Sequence, residues 1–218
     1  MPTIPKRFVS DSIGMKIVDC FVFYDEIDLL HYRLKLLEHI VDKFVIVESY
    51  WDREGNAKKL YSQELEDLFE TFRDKIVHIV VDSFPYTKGE RWKIEKYQIN
   101  RLYDGINSLR LQDTDVLLLT YLNETPSPHL LQTIKRRKQP IQIHCLEMDI
   151  FHSNVKLSTK WILGKILSYK MFKKLSLSCS DLRNYKCPTM PNGGSHLTFP
   201  TSTANIVSFL DTSEPDYL

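Results

Sequence analysis

Apolar residues fall along the chain in two alternating rhythms. Ile17 to Phe23 (IVDCFVF) is a short apolar, β-branched run and predicts a buried strand. Asp25 then offers an N-cap, and Ile27, Leu30, Leu34, Leu37 and Val41 recur at steps of three and four, the single stripe of an amphipathic helix. Phe44 to Val47 predicts the next strand, ending at Glu48, and Gly55 with Asn56 marks a turn. Leu65, Leu68, Phe69 and Phe72 outline a second helix, and Ile76 to Val81 (IVHIVV) a third strand. Ile99, Leu102, Ile106 and Leu109 predict one long helix. Val116 to Leu119 is a fourth strand, closed by Pro126 and Pro128. Leu130, Leu131 and Ile134 give a short helix, and Ile141 to Leu146 a fifth strand. Beyond Asp149 the pattern weakens: Phe151 to Cys187 hold no clear period, although Trp161 to Leu175 is basic and partly amphipathic.

Strands separated by helices of this length read as βαβ units, so the expected fold is α/β with a mostly parallel sheet flanked by helices. The division expected is an N-terminal extension over 1–15 and a single domain over 16–218. Sheets of this kind bind ligands at the carboxyl ends of their strands. The functional questions therefore fall on Tyr24 to Asp28, Glu48 to Arg53, Asp82 to Arg91 and Thr120 to Pro128.

Composition narrows the classes. The 218 residues are 43% hydrophobic and 26% charged, which suits a globular chain able to bury a core without staples. Lys and Arg total 29 against 28 Asp and Glu, a formal charge of +1, so no basic field marks a nucleic-acid binder. No apolar run of about 18 residues predicts a membrane span. Met1 to Lys16 is polar and broken by Pro2, Pro5 and Gly14, unlike a signal peptide, and the expected location is the cytoplasm. The four cysteines, Cys20, Cys145, Cys179 and Cys187, lack zinc spacing and are expected as reduced thiols, with a Cys179–Cys187 bridge open in an oxidising compartment.

Motif chemistry is sparse. Walker, G-x-S-x-G and H-E-x-x-H patterns are absent. Asp25, Glu26 and Asp28 suit either an acidic first helical turn or a sugar contact. Asn192-Gly193-Gly194-Ser195-His196 reads as a flexible turn whose glycines bring backbone N–H groups toward an acceptor.

Several blocks, taken in order, resemble glycosyltransferase family 17. They are Val18 to Leu30 (VDCFVFYDEIDLL), Arg33-Leu34, Val41 to Ser49 (VDKFVIVES), Asp74 to His78, Trp92 with Glu95, Gln98 and Asn100, Asp115 to Pro126, and Pro191 to Phe209. The resemblance implies a glycosyltransferase A-type fold, a nucleoside diphosphate sugar donor (N-acetylglucosamine among the candidates), a glycan acceptor and often a divalent metal, Mn or Mg. With it, the candidate substrate-binding residues are Phe23, Tyr24, Glu26, Glu95, Gln98, Asn100, Tyr121, Gly193, Gly194 and His196, joined by Arg53 and Arg91 from their loops.

The chain departs from the family pattern at defined positions. Where the family resembles S-D-x-D-E-I-P, the two aspartate positions hold Tyr121 and Asn123, while Glu124 and Pro126 match. The arginines of W-x-R-E-x-x-Q-R-N become Ile94 and Ile99, and G-G-W-H and S-F-S-H become Gly193-Gly194-Ser195-His196 and Ser208-Phe209-Leu210-Asp211. Asn123 and Asp211 are what remain as candidate metal ligands. For an inverting transfer, Glu124 is the first candidate base, with Glu48 and Glu26 behind it. Arg53, Lys88 and Arg91 are candidates to neutralise a diphosphate without metal. Two functions follow from the same residues: a transferase, or a transferase-shaped module that binds a glycan or a protein with the donor cleft closed by Tyr121, Ile94 and Ile99. An unrelated nucleotide-binding α/β protein lacks its glycine fingerprint.

Overall fold

The computed structural model describes residues 14–137, 139–152 and 155–198. Nine strands are present among them: β1 Ile17–Phe23, β2 Lys43–Ser49, β3 Ile76–Val81, β4 Val116–Leu119, β5 Glu124–Pro126, β6 His144–His152, β7 Val155–Trp161, β8 Lys165–Ser168 and β9 Thr189–Thr198. The helices are α1 Ile27–Leu37, α2 Glu66–Thr71, α3 Arg91–Asn100, α4 Leu102–Ser108, α5 Pro128–Lys135, α6 Tyr169–Leu175 and α7 Cys179–Asn184.

All nine strands join one sheet in the order β3-β2-β1-β4-β8-β6-β9-β5, with β7 on β6. The β3-β2-β1-β4 half is parallel, as the βαβ pattern predicts. The other half is not: β8 runs antiparallel to β4 and β6, β7 to β6, and β5 to β9, with β6–β9 parallel. The sheet is therefore mixed rather than mostly parallel. The difference lies in the aperiodic region after Asp149, where β7 is almost wholly exposed and β8 is only four residues long. Neither leaves a clear hydrophobic rhythm.

Strand alternation sorts the core into two layers. Ile17, Phe21 and Phe23 of β1 face α1 with Leu30, Leu34 and Leu37, whereas Val18, Cys20, Val22 and then Tyr24 face α3 and α4 with Ile99, Leu102 and Ile106. The same parity holds in β2, where Phe44 and Ile46 join the first layer and Val45 and Val47 the second. This decides the site, because each residue just past a strand inherits a face.

Three expected features change. The long helix breaks into α3 and α4 at Arg101. Gly105 within α4 lets that helix settle on β2, since a Cβ there would lie 2.3 Å from Val45 Cγ1. Asp25 is not an N-cap: Glu26 occupies that position, and its carboxylate folds back to accept the backbone N–H groups of Tyr24 and Asp25, both at 3.2 Å. The supposed turn at Asn192–His196 is the middle of β9. Among the described residues no helix is long and apolar enough to cross a membrane.

Candidate functional site

The carboxyl ends of β1, β2 and β4 open on one side of the sheet, and α3 and α7 wall the space in front of them. Helix α7 is capped by Ser178, whose hydroxyl accepts the N–H of Asp181. Asn100, at the end of α3, accepts the N–H of Ser180 at 2.9 Å and so fastens α7 to α3. Asn100 thus acts on protein structure rather than facing a substrate. Residues Trp92, Glu95, Lys96 and Ile99, at helical steps of three and four, present one face of α3 to a cleft of about 390 Å³. Tyr121, Leu163, Ser180, Arg183 and Asn184 complete its lining.

The tip of β4 is held from both faces. Below it, Arg33 of α1 is fully buried and binds both oxygens of Asp19 at 2.9 and 2.7 Å. Its remaining N–H groups reach Thr120 Oγ1 and the carbonyls of Tyr121, Leu122 and Glu124. One guanidinium therefore fixes the whole turn that carries the former aspartate positions. Above it, Arg183 of α7 donates to both oxygens of Glu124 at 2.8 and 2.7 Å and lies 3.8 Å over the Tyr121 ring. The Tyr121 hydroxyl donates to Glu95 Oε1 at 3.0 Å.

These contacts dispose of several expectations. Glu124 is wholly buried, and Trp161 Nε1 and the Tyr121 N–H take its remaining acceptor sites at 2.7 Å each. Burial alone would raise its pKa, but Arg183 and these donors more than offset that and hold the carboxyl below its usual range. It is a locked anion, not an open base. Glu48 points into the α1 layer, on the opposite face from Tyr121. There its carboxylate takes the N–H groups of Tyr61 and Ser62 and lies 3.1 Å from His78. Burial opposes its ionisation, yet His78 and Ser62 keep its pKa low. Phe23 is fully buried, edge-on to Tyr61. Gly193 and Gly194 serve strand packing: added Cβ atoms would sit 2.8 Å from Glu147 N and 2.1 Å from Thr125 O. His196 stacks on Trp161 at 4.1 Å, with Nε2 3.3 Å from Asn123 Nδ2. Lys88 and Arg91 are exposed.

A second group stays together. The Arg53 guanidinium lies over the Tyr24 ring at 4.2 Å and 3.9 Å from Glu26. Gln98 donates to Trp51 O at 3.2 Å. Tyr24 Oη, Arg53 Nε and Gln98 Oε1 are buried polar atoms without a protein partner. Burial would lower the Arg53 pKa, but Tyr24 and Glu95 reverse this and keep the cation. Burial, with Glu95 adding to it, pushes the Tyr24 hydroxyl up.

Tyr121 and Asn123, at the two aspartate positions of the family pattern, offer a cation little. Tyr121 spends its hydroxyl on Glu95 and carries a guanidinium on its ring, which leaves the neutral Oδ1 of Asn123 as the one oxygen of the pair not so engaged. No group of three or more His, Cys, Asp or Glu side chains is placed to hold a metal ion among the described residues. The other candidate ligand, Asp211, lies outside the described residues.

With this geometry in hand, comparison with known proteins adds an identity at family level. A family profile described as Glycosyltransferase family 17 matches residues 8–160. The chain belongs to glycosyltransferase family 17. Curated relatives in the family include the beta-1,4-mannosyl-glycoprotein 4-beta-N-acetylglucosaminyltransferases of Rattus norvegicus and Homo sapiens, each 29% identical over 132 residues. The Mus musculus protein of the same name is 28% identical. The matched region is 58% of this chain but only 24–25% of those proteins, so the chain spans about a quarter of their length.

Sequence reasoning within the family missed Arg183 and Trp161, which sit in the aperiodic segment and left no signal. Arg33 and Asp19, a charged residue in an apolar stripe and another in an apolar strand, carry the sequence signature of a buried pair.

Proposed function

We propose that this chain is a glycosyltransferase that moves a sugar from a nucleoside diphosphate donor to a hydroxyl acceptor in the cleft between α3, α7 and the tip of β4. The observation that carries this is a group of buried polar atoms without a partner, Tyr24 Oη, Arg53 Nε and Gln98 Oε1, which lie outside the lining of that cleft, with Gln98 on the same helix α3 as Glu95 and Ile99. A buried donor or acceptor left unmade costs about 1–3 kcal/mol, so these atoms favour a ligand that completes them. Tyr24 and Gln98 suit a nucleoside, which offers groups of both hydrogen-bonding kinds, and Arg53 suits the diphosphate. The names of the relatives support N-acetylglucosamine as the sugar and a mannosyl glycan as the acceptor.

Family chemistry often neutralises the diphosphate with a metal. Tyr121 and Asn123 are a poor pair for one, and this reading gives the role to Arg53. The binding-only alternative is not favoured, because the family and its named relatives are transferases and because Ile99 and Tyr121 line the cleft without filling it. The test is titration of UDP-N-acetylglucosamine by calorimetry, followed by assay of UDP release, with and without EDTA. Binding and turnover that persist in EDTA and weaken at least tenfold in Arg53→Ala are expected. Absence of binding by this donor and by other nucleoside diphosphate sugars would overturn the proposal.

A further inference from the structure

We propose that Glu95 is the base that receives the acceptor's proton, an inference that rests on the transfer reaction above. A base must reach the proton and keep a lone pair to receive it. Glu124 has neither oxygen to spare, since Arg183, Trp161 and the Tyr121 N–H take both. Glu48 lies on the other face of the sheet and is held by Tyr61, Ser62 and His78. Glu26 folds onto its own backbone beside Arg53, and Asp181 is held by Lys96 and Ser178.

Glu95 differs from all of these. It is largely buried yet lines the cleft, and no ion pair to it is formed among the described residues. Its one hydrogen bond is accepted by Oε1 from the Tyr121 hydroxyl. Oε2 accepts nothing from a described residue. Tyr121, at a former aspartate position, therefore orients the carboxylate and leaves one oxygen turned to other use. That makes Tyr121 a positioning residue. Arg183, clamped over the Tyr121 ring, fixes the tyrosine in turn.

The step balances without a metal. The acceptor O–H breaks and its proton passes to Glu95 Oε2. The freed oxygen pair forms a bond to the anomeric carbon. The bond from that carbon to the diphosphate oxygen breaks, and its electron pair leaves with the nucleoside diphosphate. The configuration at the anomeric carbon inverts.

Azide separates this role from a structural one, because azide attacks carbon with no proton to lose. With UDP-N-acetylglucosamine as donor and p-nitrophenyl β-mannoside or water as acceptor, Glu95→Gln should lower kcat by about 10²- to 10⁴-fold, the usual worth of a general base. Donor affinity should move by less than tenfold, Glu95→Asp should retain more activity than the glutamine variant, and sodium azide should restore turnover of Glu95→Gln with a glycosyl azide as product. An active wild type with Glu95→Gln within a few-fold of it would overturn the assignment. So would loss of donor binding in the variant with no azide product. A wild type that binds no nucleoside diphosphate sugar sinks the transfer reaction itself, and this assignment with it.

Discussion

Arg183 meets Glu124 end to end, two N–H groups on two carboxylate oxygens at 2.8 and 2.7 Å, and neither side chain reaches solvent appreciably. Such a pair is costly to break from one side, because the survivor stays charged and buried. Arg183→Leu is expected to cost about 3–5 kcal/mol of unfolding free energy. Adding Glu124→Gln to it should recover part of that loss, since the orphaned charge is gone. Urea denaturation of the two single variants and the double variant checks this, and simple additivity would show that the pair is not coupled.

The lower clamp is more demanding in geometry. Arg33 supplies both Nη groups and Nε to Asp19, Thr120 and three carbonyls. A lysine keeps the charge but not the planar fork. Arg33→Lys should therefore destabilise the chain by several kcal/mol, on the order of the 3–5 expected for a broken buried pair. Hydrogen exchange would report the same event locally, with faster exchange over residues 120–124 than in β2. Unchanged protection there would mean that the turn holds itself.

How much of this was legible follows from the physics of each segment. The four parallel strands and α1 carry apolar residues at the spacing their burial demands, so the pattern shows them directly. The buried Asp19 and Arg33 were also readable, as charges that interrupt an apolar strand and an apolar stripe. Arg183 was not, because α7 has six residues and pairs with a glutamate 59 positions away. Glu124 looked like a base, since its place after β4 is visible in the sequence but the four donors around it are not. The glycines of β9 looked like a flexible turn because a strand in which Gly194 approaches the β5 backbone closely has the same composition as a loop.

The cysteines are reduced thiols as expected, but the two that lie together are not the pair left open for an oxidising compartment. All four are free, and Cys187 lies beside Cys145, Sγ to Sγ 3.1 Å, rather than bridging to Cys179. Burial, with the Cys145 thiol adding to it, pushes the Cys187 thiol up to about 12, so thiolate is scarce at neutral pH and oxidation is slow. Incubation with oxidised glutathione should close a Cys145–Cys187 disulfide at a rate that climbs with pH, releasing two equivalents of reduced glutathione. The bridge would span 42 positions and stabilise by about 4 kcal/mol in the chain-entropy model. Peptide mapping that finds Cys20 or Cys179 in the bridge, or a Cys187→Ser variant that still crosslinks internally, would contradict this pairing.

His196 sets an acid limit on stability. It is buried against Trp161, and its Nδ1 has no partner. Burial lowers its pKa below the ordinary 6.5, Glu124 pulls the other way, and Arg183 adds to the lowering. The folded state therefore holds this imidazole neutral while the unfolded chain takes up a proton as pH falls through 6.5. The unfolded state binds more protons in that window, so stability rises with pH across it and is lost on acidification from 6.5 toward the lower folded value. Glu124 and Glu48 are lowered from 4.5, so their stabilisation is present above that value and is lost only on further acidification below it. The two effects separate on a pH axis. Melting temperatures between pH 7.5 and 5 should fall for the wild type and stay flatter for His196→Phe, which keeps the stacking surface on Trp161 without a site to protonate. Equal slopes for the two proteins would place the acid sensitivity elsewhere.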